Sequence, residues 1–442
     1  MTLKETIEMM KERKCPCGRP HRFDSEVLSG EGVLAALPDR LARKGVQKVY
    51  LLADKNTYPV AGEKTEMLLT QAGIAVYTHV FHKETLEPDE EAVGSAAMHY
   101  PHDADAIVAV GSGVINDIAK IISALTGKHY TIVATAPSMD GYASDASSMT
   151  RDGLKISLPS RSADLIIGDA DVLATAPRKM VVSGLGDMLA KYVSLAEWRI
   201  AHLLLDEYYC EEVAALVREA LSTCVAQTEG LLRGDKAAFT AVFEGLVLSG
   251  IAMKYAGVSR PASGVEHYIS HVWDMRAVAF GTPMDMHGIQ CAIGTRYAAL
   301  MYDKLKTLRP DPEKALASVA AFDYGAWSEE LREGLGIAAE SMIALEKKEG
   351  KYDKERHKAR LARIVSSWDQ ILAILEEELP SGAQIDALLK TLGAPRTASD
   401  IGLSEDIMPF TFRATKDIRD KYVLSRLAFD LGLTEELLEA VK

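Results

Sequence analysis

"AIVAVGSGVINDIAK", from Ala106 to Lys120, decides the fold class of this chain. It begins with an apolar run typical of a buried strand, turns at Gly111–Gly113, and continues with a helical pattern from Val114. Glycines let the backbone approach a phosphate, and a helix N-terminus offers N–H groups and a positive dipole end. The turn is therefore suited to phosphate binding. Asn116 stands where the usual dinucleotide fingerprint has its third glycine, so a plain strand-to-helix turn stays an open alternative.

Strands and helices alternate on both sides of this stretch. Short apolar runs that end at turn residues predict further strands at Lys48–Asp54, Ile74–Phe81, Tyr130–Pro137 and Ala163–Asp169. Helical segments between them favour a parallel sheet covered on both faces. The sequence Met149–Ser160 predicts a hairpin that turns at Asp152-Gly153.

After about Ala176 the apolar residues follow a helical period, and strand patterns almost disappear. We predict an α/β N-terminal nucleotide-binding domain with a parallel sheet at residues 1–172. An all-α C-terminal domain that binds metal and substrate is predicted at residues 173–442. We expect the active site in the cleft between the two domains.

Composition limits the classes of partner. The chain has 442 residues and a net charge of −13, so nucleic acid and anionic membranes are not expected partners. Five scattered cysteines suit a reducing compartment. The N-terminus lacks a secretory pattern, and we expect no apolar run long enough to span a membrane. We expect a cytoplasmic protein that acts on a small molecule. We also expect it to form a homo-oligomer, most simply a dimer.

The stretch "CPCGRPH" (Cys15–His21) contains three side chains that can bind a soft metal. A structural zinc site normally has four ligands, and no fourth stands nearby in the sequence. A turn that joins the first helix to the body of the protein is the alternative that we favour.

Two other segments of the first domain follow strands. Asp54 ends one strand and could accept hydrogen bonds from ribose hydroxyls, or it could cap the next helix. "ATAPSMDGYASD" (Ala134–Asp145) is small and polar directly after another strand. Ligands of open α/β sheets bind at such strand ends, so both segments are candidate binding loops.

Three of the eleven histidines lie close together in the sequence. His267 and His271 are four residues apart and share one face of a helix, and His287 opens a later helix. "SGLGDMLAK" adds a carboxylate, Asp187, with Lys191 one turn later on the same helix. These residue types can form a metal site, although packing histidines and a surface ion pair remain open alternatives.

The glycine turn, "TAPSMDG", "GLGDMLAK", "EHYISH" and "HG" occur here in an order that resembles the metal-dependent polyol dehydrogenase superfamily. That superfamily includes iron-type alcohol dehydrogenases, glycerol dehydrogenase and 3-dehydroquinate synthase. Within it, "TAPSMDGYAS", "SGVEHYISH" and "FRATKDIRDKYVLSRLAFDLG" most resemble the sn-glycerol-1-phosphate dehydrogenase family. The resemblance covers roughly Val33 to Gly432, and it leaves out "CPCGRPH" and some acidic helical insertions around Trp327–Glu378.

The resemblance implies roles for particular residues. Asp187, His267 and His287 would hold one divalent metal, which we expect to be zinc or nickel and less readily iron. Asp140, Asp187 and His271 would contact the substrate, with His271 and Lys191 catalytic. NAD or NADP would be bound by Asp54, Gly111, Ser112, Gly113, Asp117, Thr135, Ser138 and Ser144.

The activity implied by the resemblance is reduction of dihydroxyacetone phosphate to sn-glycerol 1-phosphate, a reaction of phospholipid metabolism. The metal would polarise the ketone, and His271, with an ordinary pKa of roughly 6.5, would relay a proton. Lys191, and less strongly Lys155 and Arg260, would offset the substrate's charge. The alternatives are a glycerol or simple-alcohol dehydrogenase, a dehydroquinate synthase-like lyase, and a non-catalytic binding protein.

Overall fold

The computed structural model describes residues 3–152, 154–404 and 406–442. Gly153, the second residue of the predicted hairpin turn, lies outside the described residues. The chain groups into two units. The first comprises Met1–Met188 and Ala215–Val258, and the second comprises Leu189–Ala214 and Ser259–Lys442. The sequence places a domain boundary between residues 172 and 173, and that boundary stays a prediction. The two units have their boundaries at other positions.

The strands and helices have the following bounds. The strands are β1 (Glu26–Gly30), β2 (Lys48–Asp54), β3 (Ala75–Phe81), β4 (Ala106–Gly111), β5 (His129–Ala134), β6 (Ala146–Arg151), β7 (Leu154–Pro159) and β8 (Leu165–Asp169). The helices are α1 (Leu3–Glu12), α2 (Leu37–Arg43), α3 (Glu63–Gln71), α4 (Glu90–Met98), α5 (Gly113–Thr126), α6 (Ala170–Leu173), α7 (Arg178–Leu205), α8 (Glu211–Ala226), α9 (Thr228–Arg233), α10 (Lys236–Ala256), α11 (Val265–Phe280), α12 (His287–Lys306), α13 (Pro312–Ala320), α14 (Tyr324–Leu335), α15 (Ala338–Glu349), α16 (Lys354–Ser366), α17 (Trp368–Glu378), α18 (Gly382–Leu392), α19 (Ile407–Thr415), α20 (Leu424–Leu431) and α21 (Thr434–Leu438).

The first unit contains a six-stranded parallel sheet in the order β1-β8-β5-β4-β2-β3. The predicted parallel sheet is confirmed. The inner strands β4 and β8 are buried along their whole length, which is why their sequences are continuously apolar. β1 was not predicted. It is short, and none of its residues is fully buried, so its sequence carries a weak apolar signal.

The predicted hairpin is present as the antiparallel pair β6–β7. Asp152, the residue after β6, has a φ of 52°, in the left-handed region that tight hairpin turns require.

α10 is the main buried helix of the first unit. By length and composition alone, α10 could cross a membrane. The expectation that no apolar run is long enough to span a membrane was therefore wrong. However, 61% of its most apolar 18-residue stretch is buried inside the protein. Phe243 of α10 packs against Gly168 of β8 so closely that a Cβ there would lie 2.1 Å from its ring. Packing against the sheet therefore accounts for the apolar character of α10.

The second unit is helical throughout the residues that the structure describes, which confirms the predicted all-α region. Near its C-terminus, Asp430 is fully buried and accepts hydrogen bonds from Arg360 at 2.9 and 3.0 Å and from the Tyr422 hydroxyl at 2.9 Å. The neighbouring arginines Arg426 and Arg360 lower the pKa of Asp430, against the effect of burial. These groups fix α20 against α16.

In the first unit, the start of α7 packs against the loop that follows β5. A Cβ on Gly184 would lie 1.8 Å from the carbonyl oxygen of Pro137. One residue earlier, the Ser183 hydroxyl donates to the carbonyl of Ser138 at 3.1 Å. Gly184 therefore permits a helix-to-loop contact that no other residue allows at this spacing.

We expect Gly184→Ala to lower stability by about 1–3 kcal/mol, because the added methyl must displace the loop backbone. The matched control is Gly94→Ala, also inside a helix, where a Cβ meets nothing within 4 Å. That control should be neutral or stabilising, since alanine has the higher helix propensity. Thermal unfolding of both variants measures the difference. Equal melting temperatures for the two variants would contradict this account of Gly184.

Candidate functional site

The glycine turn lies where β4 ends and α5 begins. The Ser112 hydroxyl accepts a hydrogen bond from the backbone N–H of Gly113 at 2.7 Å and lies 2.7 Å from the Ser138 hydroxyl. A Cβ on Gly111 would lie 2.6 Å from Ile115, so glycine here permits close packing of strand and helix. A Cβ added at Gly113 would be in ordinary van der Waals contact with the Met139 side chain, 3.6 Å away.

Asn116, which replaces the third glycine, is fully buried. Its amide nitrogen donates to the carbonyl of Gly141 at 3.2 Å, and its amide oxygen accepts from the Tyr130 hydroxyl at 2.8 Å. Asn116, where the usual fingerprint has glycine, therefore links α5 to β5 and to the loop after β5 by hydrogen bonds.

The predicted cofactor residues Asp54 and Thr135 lie at the same sheet edge as the glycine turn. In the parallel register, Ala53 pairs with Val110, and Gly111 pairs with Ala134. One Asp54 oxygen accepts hydrogen bonds from the backbone N–H groups of the two residues at 56 and 57, both at 2.8 Å. Asp54 thus closes a local turn with that oxygen, whereas the helical segment Tyr58–Gly62 that follows has Thr57 as its N-cap and no side-chain cap hydrogen bond.

Asp117 lies in the first turn and a half of α5 and faces the β6–β7 hairpin. Its carboxylate accepts from the Ser148 backbone N–H at 3.2 Å and lies 3.6 Å from the Lys120 ammonium. Burial raises the pKa of Asp117, against the opposing effect of Lys120. The Ser144 hydroxyl accepts from the Ala146 N–H at 3.1 Å, so it closes a local turn.

Sequence reasoning gave no role to Lys120. The structure buries it completely, and its ammonium donates to the carbonyls of Gly141 at 2.6 Å and Ala146 at 3.1 Å. Burial lowers its pKa, and Asp117 opposes this effect. The sequence offered one indication of this role, because Lys120 lies in an otherwise apolar stretch of α5. Lys120 fixes both ends of the segment from Gly141 to Ala146.

Asp140 and Asp187, both predicted to contact substrate, lie together in the first unit. The backbone N–H of Asp140 donates to the Asp187 carboxylate at 3.0 Å. The Asp140 carboxylate accepts from the Ser249 hydroxyl at 2.9 Å. Asp187 is only 1% exposed. A buried carboxylate is costly without a compensating charge, so its chemistry suits a cation ligand.

In the second unit, the predicted ligands His267 and His287 approach each other on α11 and α12. Their ring centroids are 5.0 Å apart, and with Cys291 they offer three ligand atoms within 4.8 Å of one another. Cys291 was not predicted, although its spacing four residues after His287 could have indicated it. Burial raises the pKa of the Cys291 thiol, but the two histidines lower it overall.

The two imidazoles are oriented by neighbouring groups. Nδ1 of His267 lies 2.9 Å from the carboxylate of Glu266, and Nδ1 of His287 lies 3.1 Å from the Ser270 hydroxyl. Fixing Nδ1 in this way leaves Nε2 for a metal, and a carboxylate–histidine pair of this kind is common beside bound metals. The donor set of the second unit therefore fits a divalent metal of zinc or nickel type.

His271 stacks near His287, with ring centroids 5.8 Å apart. Burial lowers the pKa of His271 well below its ordinary value, and the positive groups of His287 and Arg419 add to this effect. The surroundings of His271 therefore favour the neutral imidazole over the charged form.

The basic residues proposed from the sequence have different surroundings. Lys191 is fully buried within α7, four residues after Asp187. Arg260 is also buried, but it donates to the Glu207 carboxylate at 2.6 Å and to the Tyr422 carbonyl at 2.9 Å. That role is structural and leaves Arg260 unsuited to bind a substrate. Lys155 lies on the partly exposed strand β7.

The structure brings the predicted residues together as two groups, one in each unit. The first group contains the glycine turn, the loop after β5 and Asp187. The second contains His267, His271 and His287. That the two groups act on one metal and one substrate stays a prediction.

Comparison with known proteins adds independent information. The sequence model of a family described as iron-containing alcohol dehydrogenase matches residues 28–177. A glycerol dehydrogenase from Schizosaccharomyces pombe has a similar fold, with a TM-score of 0.61 and 17% identity over 96% of this chain and 92% of that one.

Two relatives are more similar in sequence. A glycerol-1-phosphate dehydrogenase of Halalkalibacterium halodurans is 29% identical, over 93% of this chain and 94% of its own length. The glycerol-1-phosphate dehydrogenase of Geobacillus thermodenitrificans is 30% identical, over 71% of this chain and 79% of its own length. The identity and the coverage of these relatives show that the chain belongs to the glycerol-1-phosphate dehydrogenase family.

Proposed function

We propose that this chain reduces dihydroxyacetone phosphate to sn-glycerol 1-phosphate with NADH or NADPH. The observation that carries the proposal is family membership, since the relatives named for this activity match the chain over most of its length. We propose that it acts in the cytoplasm as a homodimer, and that its product enters phospholipid synthesis.

We propose that Asp187, His267 and His287 hold one divalent metal. One buried carboxylate and two imidazoles are ligand types that suit zinc or nickel, with iron less favoured. A divalent cation held there supplies a Lewis acid that polarises a ketone oxygen. Cys291 competes with Asp187 as the third donor, because its sulfur lies in the same cluster as the two imidazoles.

The cofactor is proposed to bind along the carboxyl edge of the sheet. Asp54, Gly111, Ser112, Gly113, Asp117, Thr135, Ser138 and Ser144 are the residues proposed to contact it. The glycine turn at Gly113 suits the pyrophosphate, since the start of α5 supplies N–H groups and a positive dipole end. The nicotinamide dinucleotide supplies the hydride.

We propose that His271 passes a proton to the alkoxide oxygen of the product. A neutral imidazole can donate its N–H proton as its other nitrogen receives one. Asp140 and Lys191 are proposed to orient the substrate, with Lys191 opposing its negative charge.

The substrate phosphate needs fixed positive charge in an acidic protein. Arg419 and Lys421 both lower the pKa of His271, so their charges lie near it. Lys421 donates to the carbonyl of Ser263 at 2.7 Å, just before α11 begins. A guanidinium stays charged and matches a phosphate in shape. We therefore propose Arg419 as the main phosphate contact, a role that sequence reasoning missed.

The activity is tested by NADH oxidation with dihydroxyacetone phosphate and, separately, with dihydroxyacetone. We expect a clear preference for the phosphorylated ketone, because the phosphate contributes binding energy that the free ketone lacks. Equal rates, or a preference for dihydroxyacetone, would favour a glycerol dehydrogenase. Phosphate release from a heptulosonate phosphate would instead reveal a dehydroquinate synthase-like lyase.

Asp187→Asn tests the proposed metal ligand. The amide oxygen can still accept from the Asp140 N–H, so the loop contact is kept while the negative charge is lost. We expect metal affinity and kcat/KM to fall by at least about 100-fold. Metal analysis after dialysis and the ketone assay measure the two effects. Asp171→Asn, at an exposed position, is the control, and full metal content in Asp187→Asn would exclude the ligand role.

Arg419→Gln tests the phosphate contact. Losing a charge-assisted hydrogen bond costs about 1.5–3 kcal/mol, which corresponds to a rise in KM for dihydroxyacetone phosphate of roughly 10- to 150-fold. The KM for dihydroxyacetone should stay unchanged. Arg413→Gln is the control, since Arg413 pairs with Glu330 at the surface. A parallel rise for both ketones would show that Arg419 acts structurally instead.

A further inference from the structure

The segment from Cys15 to His21 forms a cluster of metal-binding side chains apart from the residues assigned above. The sulfurs of Cys15 and Cys17 and a ring nitrogen of His21 all lie within 4.8 Å of one another. Sγ of Cys17 is 3.5 Å from Nε2 of His21. Ligand atoms around a tetrahedral zinc, with bonds of about 2.0–2.3 Å, are roughly 3.3–3.8 Å apart. The cluster thus has nearly the spacing that a zinc ion requires.

The backbone holds this cluster in place. The N–H of Gly18 donates to the carbonyl of Cys15 at 3.0 Å, and Gly18 has a φ of 76°, which favours glycine. This tight turn brings the two cysteines to the same side. The favoured expectation of a turn is therefore confirmed, and the turn also organises the ligands.

Contacts with α10 anchor the segment on the first unit. The Arg19 guanidinium donates to the carbonyl of Ala256 at 2.7 Å, at the end of α10. The His21 ring lies 5.2 Å from the ring of Tyr255, and His21 is only 2% exposed. Cys15 and Cys17 are half-buried. Two cysteine sulfurs held next to a buried imidazole form a preorganised soft-metal site.

We propose that Cys15, Cys17 and His21 bind a structural zinc ion, with the fourth position taken by a donor from outside this segment. The zinc fastens the N-terminal segment to α10, independently of the catalytic metal. Binding releases the thiol protons of the cysteines and needs no oxidant or reductant. Thiolate and imidazole donors select zinc over the harder cations magnesium and calcium.

The experiment uses the full chain with the other metal cluster disabled by Asp187→Asn, His287→Ala and Cys291→Ser. We expect this variant to retain about one zinc per chain after dialysis, and adding Cys17→Ser to reduce it to nearly none. Adding Cys224→Ser instead is the control, since its sulfur lies 3.9 Å from the Val242 carbonyl between packed helices. Retained zinc with Cys17→Ser would overturn the proposal.

Cobalt substitution gives a second readout that does not depend on activity. Cobalt bound by thiolates shows a sulfur-to-metal charge-transfer absorption, which we expect in the disabled background and not after Cys15→Ser. Zinc should also raise the melting temperature of the otherwise wild-type chain more than that of Cys17→Ser. A Cys15–Cys17 disulfide in protein purified under reducing conditions, or identical spectra, would overturn the zinc site while leaving the proposed dehydrogenase activity untouched.

Discussion

The hydrogen bond from the Asp140 N–H to the Asp187 carboxylate is the contact on which the candidate site residues of the first unit depend. It requires the loop after β5 to lie directly against α7, and Gly184 is the residue that permits this. Gly250 of α10 supports the loop from another side, since a Cβ there would lie 2.6 Å from the Asp140 carbonyl. A buried carboxylate held at a fixed position binds a cation without paying for reorganisation.

In the second unit, too, glycines allow two backbone segments to approach each other closely. A Cβ on Gly294 of α12 would lie 2.7 Å from the carbonyl of Glu266, so the two histidine-bearing helices approach more closely than larger residues would allow. A Cβ on Gly264 would lie 2.4 Å from the carboxylate of Glu197. In each unit, close backbone approach thus places the candidate ligands Asp187, His267 and His287 on helices rather than on loops.

The sequence predicted most of the sheet because inner parallel strands are buried on both faces and read as continuous apolar runs. It missed β1, whose partner β8 lies far away in sequence and whose residues are only half-buried. Candidate site residues were recognisable by spacing, but their environments were not. The lowered pKa of His271 and the burial of Arg260 depend on neighbours that no local pattern reveals. Lys120 was missed for the same reason.

The buried carboxylates near His267 show that the surroundings of an acidic side chain, and not its residue type alone, set its pKa. Glu197 is buried and accepts hydrogen bonds from the Val265 and Leu424 N–H groups and the Tyr302 hydroxyl. Burial, together with nearby Glu266, raises the pKa of Glu197 to about 8. The Glu266 carboxylate lies 2.9 Å from Nδ1 of His267. A hydrogen bond at Nδ1 fixes the orientation of the imidazole and leaves Nε2 for a metal.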